Sequence, residues 1–203
     1  MSIFSFYARS IIPVCTMAVA LIACGSANTA VAADVYEIDP SHTHVQFSIE
    51  RFGFNDVIGF FPGVKGMVTL DQDAPENSRV EVEIDVASLV SGDATRNQHV
   101  TGDFWLNAVE FPMMSFTSTA VTLGSDDTAE VTGDLTLLGH VTPVTLSVKL
   151  NKLGTDPSTK GQAAGFSATG MLKRSDFGLE TAMGLVGDEV AIRIETLVHK
   201  VED

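Results

Sequence analysis

The chain has 203 residues, with 12 basic and 26 acidic side chains giving a formal net charge of −14. That imbalance repels nucleic acid and anionic lipid headgroups, which argues against a general polyanion partner and leaves room for a local cationic pocket. Both cysteines, Cys15 and Cys24, lie near the start, which leaves the remainder with no disulfide, no thiolate nucleophile and no cysteine metal ligand.

The first segment reads as a leader. Ile11 to Ala23 is an apolar run too short to span a bilayer, Arg9 precedes it, and Ala30, Val31 and Ala32 form an A-x-A cleavage signal. Residues 1–32 are therefore expected to be a signal peptide and residues 33–203 one exported, periplasmic domain of about 170 residues, large enough to hold a core without staples. A second exit competes: Leu21, Ile22, Ala23 and Cys24 read as a lipobox, which would anchor the protein through an acylated Cys24. Neither route inserts the domain stably in the membrane.

From residue 34 the hydrophobic period is two, with no amphipathic helical pattern of useful length. The stretch "DPSHTHVQFSIERFGF" places Val45, Phe47 and Ile49 on one face and Gln46, Ser48 and Glu50 on the other. Strands are expected at Tyr36–Ile38, Gly63–Leu70, Val80–Val86 and Met113–Val121, through Leu135 and Leu137, from Val144 to Leu150, at Gly165–Lys173, and through Val190, Ile192 and Ile194. Connections are expected at "DQDAPENS", "GSDD", "GHVTP" and "NKLGTDPSTKGQ". Residues 85–112 are long and mixed, and a turn or two of helix is expected there. Eight or so strands at this spacing make an all-β domain, a closed antiparallel barrel or a sandwich.

Catalytic signatures are missing: there is no G-x-S-x-G, no glycine-rich phosphate loop and no H-E-x-x-H. Asp176 and Asp188 are single carboxylates in turn contexts, where aspartate is a preferred residue. His42, His44 and the distant His99 offer three imidazoles for zinc or copper, so a metal-dependent enzyme or metal chaperone is the alternative reading. The structural reading of the same residues is hydrogen bonding at a barrel rim.

Aromatic residues gather in three patches expected outside the strands, "RFGFNDVIGFF", "DFWLN" and "EFP", as well as within strands, and such patches suit a mouth or lid over an apolar cavity. An eight-stranded barrel is close to the size at which the interior is either packed or holds one small ligand, and the pattern alone leaves both open.

Five blocks then carry a resemblance to the YceI family of exported lipid-binding proteins: "YEIDPSHTHVQFSIERFGF", "GFFPGVKGMVTLD", "ATRNQHVTGDFWLNAVEFPMMSFTST", "TGDLTLLGHVTPVTL" and "FSATGMLKRSDFGL", in that order. The resemblance implies an eight-stranded, lipocalin-like antiparallel barrel with a short helical insertion. It also implies a non-catalytic binding or carrier role, with no cofactor. A polyisoprenoid lipid, a polyprenyl phosphate or an isoprenoid quinone, would occupy the interior, and a homodimer is possible. Val45, Phe47, Ile49, Phe52, Phe60, Phe104, Trp105, Phe116, Leu135, Leu137, Phe166 and Phe177 are then expected around an apolar cavity, with Arg51, Arg96, Lys173 and Arg174 near the headgroup at its mouth. The sequence departs from the family at Arg96-Asn97-Gln98-His99-Val100, where Asp usually follows the Arg and Leu the His.

Overall fold

The computed structural model describes residues 33–202. The leader reading and both cysteines therefore lie outside the described residues. Ten strand segments run in chain order: β1 (Asp34–Ile38), β2 (His44–Arg51), β3 (Asn55–Phe61), β4 (Val64–Leu70), β5 (Arg79–Asp85), β6 (Met113–Leu123), β7 (Thr128–Leu137), β8 (His140–Thr155), β9 (Gln162–Lys173) and β10 (Val186–Lys200). Among the described residues the single α-helix, α1, spans Ala94–Thr101 in the insertion between β5 and β6.

Ten segments make eight staves. β10 pairs with β1 through Ile38 and Val198, and continues along β2 from Glu195 opposite His44 to Val186 opposite Arg51. β4 lies beside β1 as β3 lies beside β2, so β1–β2 and β3–β4 are two long strands, each broken once. The remaining order is sequential and antiparallel from β4 to β10, and the β1–β10 pairing closes the ring. The result is the eight-stranded antiparallel barrel, wound up and down. Full closure satisfies the ladder on both sides of every stave and leaves no free edge.

Each break has a local cause. Pro40 at the start of a 3₁₀ turn cannot donate to a ladder, and Asp39 caps that turn by accepting the Ser41 N–H at 2.8 Å. The Asp39 N–H still reaches the Leu197 carbonyl at 2.9 Å, so the corner stays tied to β10. In the second long strand Pro62 and Gly63 interrupt; the Gly63 carbonyl accepts from the Asp85 N–H at 2.8 Å, and a Cβ at Gly63 would lie 2.8 Å from that of Ser88.

Several connections are shorter than the sequence suggests, and of "RFGFNDVIGFF", expected outside the strands, Asn55–Phe61 is β3, whose Val57, Gly59 and Phe61 alternate opposite Ile49, Phe47 and Val45 of β2. "GHVTP" is mostly strand: β8 begins at His140, and the turn is Leu138–Gly139, with φ of 53° and 75°. Two left-handed residues form the tight hairpin whose twist matches its strands. Likewise "NKLGTDPSTKGQ" turns only between Thr155 and Gln162, which face each other in register. In the other direction Val86 leaves β5, because the Asp85 carboxylate accepts the Ala87 N–H at 2.9 Å and starts a 3₁₀ turn. Val86 is nonetheless 1% exposed, packed at the base of the insertion, where its N–H reaches the Pro112 carbonyl at 3.0 Å. Asp93 caps α1 through the Arg96 N–H at 2.7 Å.

Asp39 is the polar knot of the first corner. Its carboxylate accepts from the Ser41 hydroxyl at 2.6 Å and contacts His42 Nδ1 at 2.7 Å and His199 Nε2 at 3.4 Å. The hydrogen bond from the Ser41 side chain, followed by those from His42, the Ser41 backbone and His199, holds this carboxyl well below the usual carboxylate range against a smaller opposing effect of burial. A group depressed in the folded state contributes stability above its unfolded value, about pH 4, and loses it as pH falls toward the folded value. Replacing Asp39 with Asn should therefore lower the urea midpoint at pH 6, and the difference from the parent protein should shrink steadily between about pH 4 and pH 2.

Candidate ligand-binding cavity

Alternation on closed staves sends every second side chain inward. On β2 these are Val45, Phe47 and Ile49, opposite Phe61, Gly59 and Val57 of β3 on one side and Ile194, Ile192 and Val190 of β10 on the other. Phe47 and Phe61 pack with ring centroids 5.8 Å apart. A Cβ on Gly59 would lie 2.6 Å from the Phe47 ring, so the glycine lets that ring lie along the wall rather than across the lumen.

The inward side chains do not fill the barrel. A cavity of about 1240 Å³ runs inside it, lined by residues from both rims and from the staves between. At ~3.3 Å per residue and a tilt of ~40°, the 16 residues of β8 span about 40 Å of barrel axis, so the space is long and narrow. Its wall is aliphatic and aromatic. Mid-wall polarity is self-satisfied, as at Thr43, whose hydroxyl shares a 2.8 Å hydrogen bond with that of Thr196.

The two rims differ in charge. Strands β2, β5, β7 and β9 end at one rim, which holds the β2–β3 hairpin, α1 and the turn after β9; there Arg51, Arg96, His99, Arg174 and Asp93 line the cavity. The other rim contributes Asp71, Gln72, Ser78, Asp127 and Thr128.

Arg174 is 2% exposed. Its Nε donates to the Gly187 carbonyl at 2.8 Å, Nη1 to the Leu179 and Thr181 carbonyls, both at 2.7 Å, and Nη2 to the Val186 carbonyl at 3.1 Å. The guanidinium also sits 5.6 Å from the Trp105 ring centroid. Burial pulls its pKa down and Asp188 opposes this, but arginine stays charged under any physiological condition. Asp188 itself accepts from the Ser175 N–H and hydroxyl at 2.9 and 2.8 Å, the interactions that hold its carboxyl below the ordinary range. Arg96 donates from Nε to the Ser91 hydroxyl at 2.9 Å and from Nη2 to the Ser91 carbonyl at 2.6 Å. Asn97 accepts from the Ser91 N–H at 3.0 Å and hydroxyl at 2.6 Å. Arg51 lies over the Phe52 ring at 4.1 Å.

Of the residues expected around the cavity, Val45, Phe47, Ile49, Phe52, Trp105, Phe116, Leu135, Leu137 and Phe166 line it, as do Arg51, Arg96 and Arg174 at the mouth. Four expectations are corrected. Phe60 pairs with Gln46 and shares the outer face, its ring 5.9 Å from that of His44, because its neighbour Phe61 takes the inward position. Phe104 is 77% exposed in the loop after α1. Phe177 is buried, yet in the 3₁₀ turn after β9 it packs beneath the rim, off the cavity. Lys173 follows the inward Leu172 and so points out, opposite Glu189.

The three histidines do not converge. His42 is bound to Asp39 on the exposed corner, His44 lies on the outer face against Phe60, and His99 lines the cavity from α1. Among the described residues no group of three or more His, Cys, Asp or Glu is arranged to hold a metal ion. Sequence reasoning missed Ile192, Ile194 and Leu146 as lining residues, although the alternation in "AIRIET" and "VTLSV" carried that signal.

Comparison with known proteins agrees with this architecture. The family model described as YceI-like domain matches residues 36–198. Protein YceI of Escherichia coli O17:K52:H18 (strain UMN026 / ExPEC) is 40% identical over 171 residues, covering 83% of this chain and 88% of that protein. The crystal structure of Burkholderia cenocepacia BcnA superposes with a TM-score of 0.71 at 26% identity, covering 79% of this chain and 98% of that one. A polyisoprenoid binding domain from Saccharophagus degradans shares the fold, with a TM-score of 0.60 at 15% identity over 84% of this chain and 100% of the other. An eight-stranded barrel around one long apolar cavity, with this family match across nearly all its strands, makes the chain a member of the YceI-like family.

Proposed function

We propose that the protein is a non-catalytic periplasmic carrier for an isoprenoid lipid held inside the barrel. The carrying observation is the cavity itself: long, narrow, aliphatic-walled and bordered by hydrogen-bonding groups at both rims. Burial of an apolar chain there contributes about 25 cal/mol per Å² before ordering costs, which is sufficient driving force for binding. An empty apolar channel of this size forfeits packing contacts along its whole wall, so a matching chain is favoured over vacuum or water. The polyisoprenoid binding of the Saccharophagus degradans domain, which shares the fold, supports the same ligand class. The headgroup sits at the rim carrying Arg51, Arg96 and Arg174, with Phe52 and Trp105 beneath it.

Paired variants separate lumen from surface. Phe47→Asp places a carboxylate in the apolar lumen, and binding of a fluorescent isoprenoid should weaken by about tenfold or more, with a loss of stability. Phe60→Asp alters the outer face and should leave binding within about twofold of the parent. The reading fails if the two variants bind alike at a temperature where both are folded.

Export through the leader is part of the same reading. Radiolabelled palmitate fed to the native cell should not enter the mature protein if processing follows Ala32. Incorporation that disappears in Cys24→Ser would instead establish a membrane-anchored carrier.

A further inference from the structure

The most exposed aromatic side chains of the described residues stand at one end of the barrel. Phe54, at the tip of the β2–β3 hairpin, is 87% exposed, and Phe104, in the loop after α1, is 77% exposed. Met183 and Leu185, in the segment between β9 and β10, are exposed as well. All four belong to the α1 rim. The turns of the opposite rim, residues 71–78, 124–127 and 156–161, hold no aromatic residue and no leucine, isoleucine, valine or methionine. Apolar side chains held in water at one rim and kept away from the other point to a surface that covers them.

The three apolar segments are built as one platform. The Phe52 N–H donates to the Leu185 carbonyl at 2.8 Å, and the Thr181 hydroxyl donates to the Phe104 carbonyl, so the segment before β10 is tied to both of its neighbours. The tips also satisfy their own main chain. The Phe54 N–H reaches the Arg51 carbonyl at 3.1 Å, the Gly53 N–H the Glu50 carboxylate, the Met183 N–H the Glu180 carbonyl at 3.1 Å and the Leu185 N–H the Ala182 carbonyl at 3.0 Å. Main chain whose donors are already paired enters an apolar layer without leaving an unmet N–H behind. Each exposed side chain lies within two residues of one that lines the cavity: Phe54 of Phe52, Phe104 of Trp105, Met183 of Ala182 and Leu185 of Val186. Apolar surface is thus carried from the mouth onto the rim at three places.

From this arrangement we infer that the α1 rim docks reversibly onto a zwitterionic lipid bilayer, with Phe54, Phe104 and Leu185 entering its interfacial layer. The inference goes beyond the carrier reading and draws on it for the lipid character of the mouth. The four side chains expose on the order of 500 Å², the size of a functional patch yet short of the ~800 Å² per partner of a stable protein interface. That surface is divided among separate tips, which suits a fluid layer that closes around each one. Charge selects the kind of bilayer. Asp56, Asp103 and Glu180 flank the tips as well as Arg51, and acidic residues outnumber basic ones 26 to 12 in the chain, so an anionic surface offers no net attraction. Apolar insertion is left as the driving force.

The processed protein is isolated from its own cells and floated with vesicles of phosphatidylcholine; parent and variants share one N-terminus, so differences between them read the rim. Phe54→Ser/Phe104→Ser should lower vesicle binding by about tenfold or more, whereas Ile58→Ser, on the exposed outer face of β3, should leave it within about twofold. Raising NaCl should not weaken the binding. Against the shared Trp105 background, Phe54→Trp should add emission that shifts to the blue when vesicles are added, and Val201→Trp, at the far end of the barrel, should not. A parent that binds no better than the double variant, or an emission from Phe54→Trp that vesicles leave unmoved, would overturn the inference. Binding only to vesicles rich in phosphatidylglycerol, and lost in salt, would overturn it in favour of ionic adsorption. A parent dimer in sedimentation that Phe54→Ser/Phe104→Ser dissociates would overturn it in favour of a self-interface. The vesicles contain no isoprenoid, so failure of docking leaves the carrier reading standing, and failure of the barrel to bind a fluorescent isoprenoid leaves docking standing.

Discussion

Closure of eight staves is the constraint on which everything else depends. Once β10 has paired with β1 and β2, the backbone ladder is complete around the ring and the circumference is set by strand number and tilt. The interior volume is then decided before any inward side chain is chosen. Valine, leucine and isoleucine at most inward positions, with rings such as Phe47 laid over a glycine, leave about 1240 Å³ unfilled. A packed core would have needed larger side chains at the same places. The cavity is therefore a consequence of residue size on a closed ring, and it needs no special architecture beyond the ring.

The polar devices of the molecule serve that ring. The Asp39 corner lets one chain segment serve β10 along nearly its whole length while changing direction once. Pro62 and Gly63 bend the neighbouring stave at the matching place, so the two kinks stay side by side. Arg174 ties residues 179–187 to the end of β9 by four hydrogen bonds to main-chain carbonyls, which builds a defined rim from a segment rich in glycine. The same guanidinium brings positive charge to the mouth. Construction of the rim and the placing of a positive charge at it thus fall to one side chain.

Much of the fold was legible because period-two alternation is a direct record of which face sees oil. It located the strands from Val45 to Ile49 and from Val190 to Ile194, and the up-and-down order follows from short connections. The limits are equally physical. In "GFF" two adjacent phenylalanines compete for one inward position, and only the register of Phe47 against Gly59 decides for Phe61 over Phe60. Phe104 and Phe177 sit in turns, where alternation carries no meaning, so composition alone misplaces them. Lys173 and Arg174 are neighbours of like charge, and nothing in their identity says that one points outward while the other is swallowed by carbonyls. The histidine pair at 42 and 44 brackets the buried Thr43, which separates them from the lumen. Their two-residue spacing, suggestive in a flat strand, loses its meaning at a 3₁₀ corner.

The central claim is that this lumen carries an isoprenoid chain, and native mass spectrometry of the protein isolated from its own cells tests it most directly. Spectra are recorded before and after extraction with organic solvent, and the extract is analysed for isoprenoid tails. The account predicts an added organic mass at one equivalent per barrel, removed by the solvent and recovered as an isoprenoid. A barrel that yields no lipid and carries stoichiometric zinc or copper instead would contradict it.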